Sequence, residues 1–523
     1  MEIDRTENSV RNIRWGVVQK IVHSLGPFIV RTVLIYAMGA EYAGLNSLFT
    51  SILSILSLTE LGFSQAIVYS MYKPIAENDK DKICALLNIY KKAYHVIGCL
   101  ILGIGCLIIP LIPHLINGSV PAGISLYVLY IIYLINTVIS YFLFAYKTSL
   151  LSAFQREDVL SRNQLFIELI YYIAECITIV ISKSYYLYSL LLPVMTVAVN
   201  FTNNCSVNQL FPDYFPHGTI TESEKEELKK NIIGLSIWKV GGATRNTFDS
   251  IVVSMYLGLT AVAIYNNYFY IMNAVIVVLA VISTAITAGV GNKIVTHSPE
   301  ENYQDFNAIQ LLYMWIAGWC TVCMLCLYQP FMKLWMGDSM LLSTMDMVLF
   351  CIYFFDLKQG DIQSVYYQAA GLWWEGKMRS VIEAILNIIL NFTLGYHLGI
   401  TGIILATIIS LTICAYIYGS KFVFKLYFHK GLKRFYLTNL YYFSITMLAG
   451  WISFQLCSLL PSSGSLLVNI FLRLCICIAV PNVIFFFAYR KILGHDRAEE
   501  LVGRVIRKRV DNRSSSEKNR TDY

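Results

Sequence analysis

Apolar runs long enough to cross a bilayer recur from about residue 17 to about residue 489, which leaves this chain very few folds. A helical span needs about 17–25 mostly apolar residues, because hydrocarbon offers no partner to backbone amides. The runs are continuous rather than alternating, so helices are expected and not barrel strands. The spans are expected near 17–38, 45–68, 93–114, 124–146, 164–182, 186–210, 232–256, 261–290, 307–328, 344–367, 380–398, 400–420, 437–459 and 466–489, fourteen in all. Charged residues make up 14% of the chain, against about 25% in soluble domains. The expected class is an all-α polytopic membrane protein.

Positive charge sets the orientation. Of the 40 Lys and Arg, 32 lie in the N-terminal arm, the loops after even-numbered spans and the C-terminal tail. The loops after odd-numbered spans hold two, Lys183 and Lys333, and six cations lie inside spans. The positive-inside rule therefore places both termini in the cytoplasm. The segment MEIDRTENSVRNIR is polar and has no small-residue cleavage site, so no signal peptide is expected to be removed. The tail RVIRKRVDNRSSSEKNRTDY could bind nucleic acid or lipid headgroups. A solvated orienting tail is the plainer reading, and no nucleic-acid partner is expected. Cys320, Cys323 and Cys326 are evenly spaced in one span without histidine partners. They read as small apolar packing, with neither a metal site nor a disulfide framework expected.

The chain repeats itself weakly. NIRWGVVQK from residue 12 faces NIIGLSIWK from 231, AGLN from 43 faces AIYN from 263, and AFQREDVLS from 153 faces GLWWEGKMRS from 371, all at offsets near 219. Helices 1–6 and 7–12 thus read as two parallel six-helix repeats, forming two lobes around a central cavity, with two extra C-terminal helices. Internal repeats characterise transporters whose site lies between the halves. The expected organisation is a cytoplasmic arm (1–16), an N-lobe (17–210), an inter-lobe linker (211–231), a C-lobe (232–420), a loop with helices 13–14 (421–489) and a basic tail (490–523).

Two stretches, GAEYAGLNSLFTSILSILSLTELGFSQAIVYSMYKPIAENDKDKI (39–83) and AAGLWWEGKMRSVIEAILNIILNFTLGYHLGITGIILATIIS (369–410), resemble the Wzx-type polysaccharide flippases. These belong to the multidrug/oligosaccharidyl-lipid/polysaccharide exporter superfamily, which also contains MATE-like transporters. The resemblance covers most of residues 10–420 and implies a protein of the bacterial cytoplasmic (inner) membrane. Its implied cargo is an undecaprenyl-diphosphate-linked oligosaccharide, moved from the inner to the outer leaflet by alternating access for surface-polysaccharide assembly. Implied partners are membrane lipids and the polysaccharide polymerase and chain-length assembly proteins. The related flippase for the lipid-linked peptidoglycan precursor has a cation-lined cavity and a lipid groove formed by its two extra helices. That pattern carries over here to positions in helices 1 and 7 and to helices 13–14.

Buried charge points to candidate residues. A Lys or Arg at the centre of a span costs about 2.5–3.5 kcal/mol on insertion scales. Lys20, Arg31, Lys239 and Arg245 nevertheless fall on helices 1 and 7, the first helices of the two repeats; the other two buried cations are Lys358 and Arg473. At about 100° per residue, Lys20, His23, Pro27 and Arg31 share one stripe, which climbs roughly 16 Å from Lys20 to Arg31. Such a ladder suits a diphosphate leaving headgroup water, with Arg as a bidentate grip and Lys as a point charge. The competing account is charge balance, Arg245 with Asp249 at i, i+4 and Glu60 with Lys20 or Arg31. His23 is either a packed histidine or a pH-sensitive or phosphate-contacting group. Glu168 and Glu175 share a face of helix 5 and either bind a coupling proton or sodium ion or balance Arg162. Asp356, Lys358 and Asp361 read as a self-contained network.

Sugar hydroxyls need amides, carboxylates and phenols. Asn266, Tyr270 and Asn273 line helix 8 at i, i+4, i+7, and Glu383, Asn387 and Asn391 line helix 11 at i, i+4, i+8. Most of the 36 tyrosines are expected in interfacial belts or the core. Two other functions are open. An ion-coupled drug antiporter of the same superfamily would rely on Glu60, Glu168 and Glu175. A membrane enzyme using lipid-linked sugars would need a larger outer loop than the one near 329–343, which offers Asp338 and no histidine. The chain carries no phosphate-binding Gly-rich loop, so no cofactor is expected and a proton or sodium gradient is the candidate energy source.

Overall fold

The computed structural model describes residues 5–60, 62–118, 120–372, 376–460, 465–492, 494–501 and 503. Its α-helices are α1 (Arg5–Met38), α2 (Ala40–Leu56), α3 (Phe63–Ala76), α4 (Lys80–Ile108), α5 (Leu126–Phe142) and α6 (Thr148–Ala153). There follow α7 (Glu157–Ser182), α8 (Tyr185–Leu210), α9 (Glu222–Leu257), α10 (Leu259–Thr296), α11 (Pro299–Met336) and α12 (Thr344–Gln359). The last are α13 (Asp361–Ala369), α14 (Lys377–Leu398), α15 (Ile400–Ser410), α16 (Gly419–Phe422), α17 (Leu432–Ser458) and α18 (Leu466–Tyr489). Among the described residues there is no strand, as continuous apolar runs require.

Among the described residues ten helical stretches are long and apolar enough to span a bilayer, and α5 with the segment Ala145–Ala153, bent by 49°, makes an eleventh. The chain is a multi-pass membrane protein. The other three expected spans are helical but differ from a simple rod. Span 45–68 breaks between α2 and α3, 344–367 breaks between α12 and α13 beside Lys358 and Asp361, and in 232–256 the apolar part is Thr247–Leu257.

Packing groups the chain into two compact units, Met1–Asn267 with Ser380–Ala406 and Tyr268–Arg379 with Thr407–Tyr523. The first unit takes in α9 and most of α14. Within that unit α1 lies along α7, α7 along α8, and α9 packs on α2 and α3. Within the second, α11 packs against α12, α17 and α18.

Helix starts follow local side chains. Asp79 accepts from the amide of Lys82 to open α4. Capping boxes open α9 (Thr221 with Glu224) and α11 (Ser298 with Glu301). Glu224 is held down to about 2 by the hydrogen bond from the Lys82 side chain and those from Thr221. Two glycines bring the ends of helices together. A Cβ on Gly44 would lie 2.1 Å from the carbonyl oxygen of Leu259, so α2 can touch the start of α10 only without a side chain there. Gly258, at φ 84°, turns α9 into α10 in a conformation that L side chains rarely adopt.

Candidate functional site

The buried polar side chains of the first unit lie chiefly on α7, α8, α9, the start of α10 and α14, and α1 sets partly buried and exposed polar groups against them. Arg31 of α1 is partly buried and divides its nitrogens among three acceptors. Nε donates to Asn267 Oδ1 at 2.5 Å, Nη1 to Ser47 Oγ at 3.1 Å and Nη2 to the Ala263 carbonyl at 3.1 Å. The guanidinium therefore ties α1 to α2 and to α10. Two turns below it on the same stripe, His23 Nδ1 lies 2.8 Å from Glu168 Oε1 of α7. Glu168 is fully buried and also accepts from Gln19 at 3.3 Å and Gln164 at 2.9 Å. Lys20 is exposed on α1. The side chain of Lys239 lies outside the described residues.

Glu175 shares the face of Glu168 but not its partners: the Tyr171 hydroxyl hydrogen-bonds it, one turn away on α7. Tyr133 and Tyr188 lie close enough to feel its charge. The same two tyrosines meet Asn46 of α2, Tyr188 accepting from its amide nitrogen at 3.1 Å and Tyr133 donating to its oxygen at 3.0 Å. Glu60, which the sequence offers as a counter-ion for Lys20 or Arg31, instead accepts from Tyr94 and Tyr141, the latter at 2.6 Å. The break after residue 56 carries it towards α4 and α5, away from the cationic stripe.

The charges of α9 find their partners on α14. Arg245 forms an ion pair with Glu383 at 2.7 Å. Asp249 accepts from Tyr265 and from Asn391, each at 2.7 Å, and Asn391 in turn donates to Asn387 at 3.1 Å. Helical spacing allows an Arg245–Asp249 pair as the competing account; the fold also gives each a partner from a neighbouring helix. The stripe Glu383, Asn387, Asn391, expected to meet sugar, is 1%, 0% and 0% exposed and turns onto α9. Asn266 donates to Ser250 Oγ at 3.1 Å and to the Val262 carbonyl at 3.0 Å. Tyr270 and Asn273 belong to the second unit, where Asn273 is exposed. There Lys358 pairs with Asp361 at 2.7 Å and Asp356 accepts from Thr412 at 2.8 Å. Helix periodicity picks out Asn266 and passes over Asn267, which stands about 100° around the helix. Only the fold shows that Asn267 holds Arg31.

At one end of the unit the loop after α4 meets the end of α9. The Asn117 amide donates to the Ser254 carbonyl at 3.0 Å, and its side chain donates to the Tyr256 carbonyl at 2.7 Å. At the same end Gly44 of α2 lies against Leu259 at the start of α10.

No protein-family model and no curated protein sequence matches the chain. Solved structures do. The lipid II flippase MurJ in an inward closed conformation matches with a TM-score of 0.67 at 16% identity, over 91% of this chain and 99% of that one. An inward-facing multidrug resistance MATE family transporter of the MOP superfamily matches with a TM-score of 0.59 at 13% identity, over 78% and 98%. A point mutant of the Vibrio cholerae MATE transporter VcmN matches with a TM-score of 0.53 at 12% identity, over 82% and 98%. At these identities the likeness is one of fold: the chain has the all-helical fold shared by these transporters.

Proposed function

We propose that the chain is a flippase for an anionic lipid-linked oligosaccharide, an undecaprenyl-diphosphate repeat unit. It carries this cargo from the inner to the outer leaflet of the bacterial cytoplasmic membrane, with both termini in the cytoplasm, to supply assembly of O-antigen, capsule or exopolysaccharide. The observation that carries the reading is the extent of the fold match. The lipid II flippase covers 91% of this chain, whereas the two multidrug transporters cover 78% and 82%. Lipid II is itself a lipid-linked cargo, and the cationic stripe of α1 fits a diphosphate better than an organic cation.

The contacts suggest how alternating access would work. Positive-inside topology puts the loop around Asn117 on the outer face, so the contacts of Asn117, Gly44 and Arg31 close the outer end in this conformation. Arg31 then acts as a latch whose donors hold Ser47, Ala263 and Asn267 until α10 moves away, when the guanidinium becomes free for the diphosphate. Lys20, His23 and Lys239 complete the anion path. Arg245 with Glu383 and Asp249 with Asn391 hold α9 to α14. Asn266, Tyr270 and Asn273 serve the sugar side. Glu168, paired with the titratable His23, is the stronger candidate for ion coupling than Glu175. A polymerase and chain-length proteins would receive the cargo outside.

The test is reconstitution in proteoliposomes containing a polyprenyl-diphosphate oligosaccharide, with an impermeant glycosidase reporting sugars that reach the far leaflet. Protein-dependent exposure supports the reading. Transport of organic cations with no sugar exposure would establish the drug-antiporter reading instead.

A further inference from the structure

The fold brings together thiols that the sequence scatters. Cys326 of α11, Cys457 of α17 and Cys477 of α18 are all buried, and their three sulfurs lie within 4.8 Å of one another. The spacing of Cys320, Cys323 and Cys326 offers a single helix no cation site, because three thiols on one helix cannot enclose an ion. The added helices supply the missing two from elsewhere in the chain. Cys323 stands one turn before Cys326 on α11 and is not among the three sulfurs that meet.

We propose that Cys326, Cys457 and Cys477 form a trithiolate site for a soft d10 cation of the zinc and cadmium class. Geometry is the first argument. A trigonal site with metal–sulfur bonds of about 2.3 Å sets its sulfurs roughly 4.0 Å apart, close to the 4.8 Å within which these three already lie. Three donors from three helices also match the convergence expected of a ligand set more closely than ordinary apolar packing, where cysteine sulfurs need not face one another.

Charge is the second argument. Binding of a divalent cation displaces three thiol protons and leaves a metal trithiolate of net charge −1, which hydrocarbon disfavours. Arg473 stands one turn from Cys477 on α18, and its guanidinium donates to the Cys326 carbonyl at 3.3 Å and to Asn469 at 2.6 Å. Its single positive charge brings the assembly to neutrality. This gives a role to a half-buried cation that the anion path does not use. The bound ion would staple α17 and α18 to α11.

Cadmium alone is the probe. The full-length protein, purified under reducing conditions, is exposed to Cd2+, freed of unbound metal by gel filtration and assayed for retained cadmium, thiolate-to-cadmium charge-transfer absorption and cadmium NMR. The expected result is about one cadmium per chain with a sulfur-rich resonance, lost in Cys457→Ser and Cys477→Ser. Cys99→Ser and Cys475→Ser, which change exposed cysteines, should retain it. If a cluster variant does not fold, the resonance of the wild-type complex decides alone. No retained cadmium, equal retention by the cluster variants, or a resonance without three sulfur ligands overturns the proposal.

Discussion

Arg31 Nε and Asn267 Oδ1 meet at 2.5 Å across 236 residues of chain, joining the first helix to the helix that runs from one compact unit into the other. In the flippase reading this contact belongs to the closed outer end, and it puts the best phosphate-gripping side chain of α1 under the control of a conformational change. Hydrogen bonds to charged groups are worth about 1.5–3 kcal/mol. Arg31→Ala should therefore lower sugar exposure in proteoliposomes by at least about tenfold, and Arg31→Lys, which keeps the charge without the fork, should recover only part. If Arg31 acts only through Asn267, the Arg31→Ala/Asn267→Ala double variant will be no worse than Arg31→Ala. If it also grips the cargo, Asn267→Ala will transport far better than either Arg31 variant.

The Arg245–Glu383 pair has a different signature, because Glu383 is almost fully buried. Removing one partner of a buried pair costs about 3–5 kcal/mol by stranding the other charge. Glu383→Gln should shorten the half-life of the detergent-solubilised protein on heating, and Arg245→Gln/Glu383→Gln should restore most of it. A double variant as labile as the single one would show that neutrality is not what the pair provides.

Coupling separates Glu168 from Glu175. Glu168 faces a titratable partner, His23, together with Gln19 and Gln164, whereas Glu175 is bonded by Tyr171. Glu168→Gln should abolish the response of transport to an imposed proton or sodium gradient, and Glu175→Gln should leave most of it. Equal responses in the two variants would remove Glu168 from the coupling mechanism.

The spans were legible in one dimension because a bilayer demands long apolar runs, and the breaks at 57–60 and at Gly360 were not, because a run stays apolar when its helix bends. Partners were harder. Helical spacing sets Arg245 and Asp249 on one face, and nothing local says that Glu383 and Asn391 will arrive from α14. The polar stripe Glu383, Asn387, Asn391 looks the same in sequence whether it meets sugar or buried charge. The thiol cluster was equally hidden, since its three members sit on three helices whose packing no single-helix pattern encodes. The cationic stripe of α1 was legible because its residues share one helix.

The 32-to-2 division of loop cations predicts the orientation. Single cysteines at the exposed positions Ala122 and Ser339 should react with an impermeant maleimide added to intact cells, and those at the exposed positions Glu77 and His297 only after lysis. Labelling of His297→Cys in intact cells would reverse the assigned orientation and move the closed end to the cytoplasmic side.

The outer closure itself is testable at Gly44. A Cβ there would lie 2.1 Å from the Leu259 carbonyl, a backbone atom that cannot rotate aside, so even alanine must push α2 and the start of α10 apart. The helices are tied by the rest of the network, including Arg31, so the strain should shift the population away from the closed state rather than unfold the chain. Gly44→Ala is expected to insert normally and lose transport, while crosslinking between cysteines placed at Asn117 and Tyr256 falls. Gly103→Ala is the control, because its Cβ meets nothing within 4 Å, and it should transport and crosslink as the parent does. If Gly44→Ala keeps both transport and crosslinking, the α2–α10 approach is not part of the cycle, and Arg31 would have to act without the latch proposed for it.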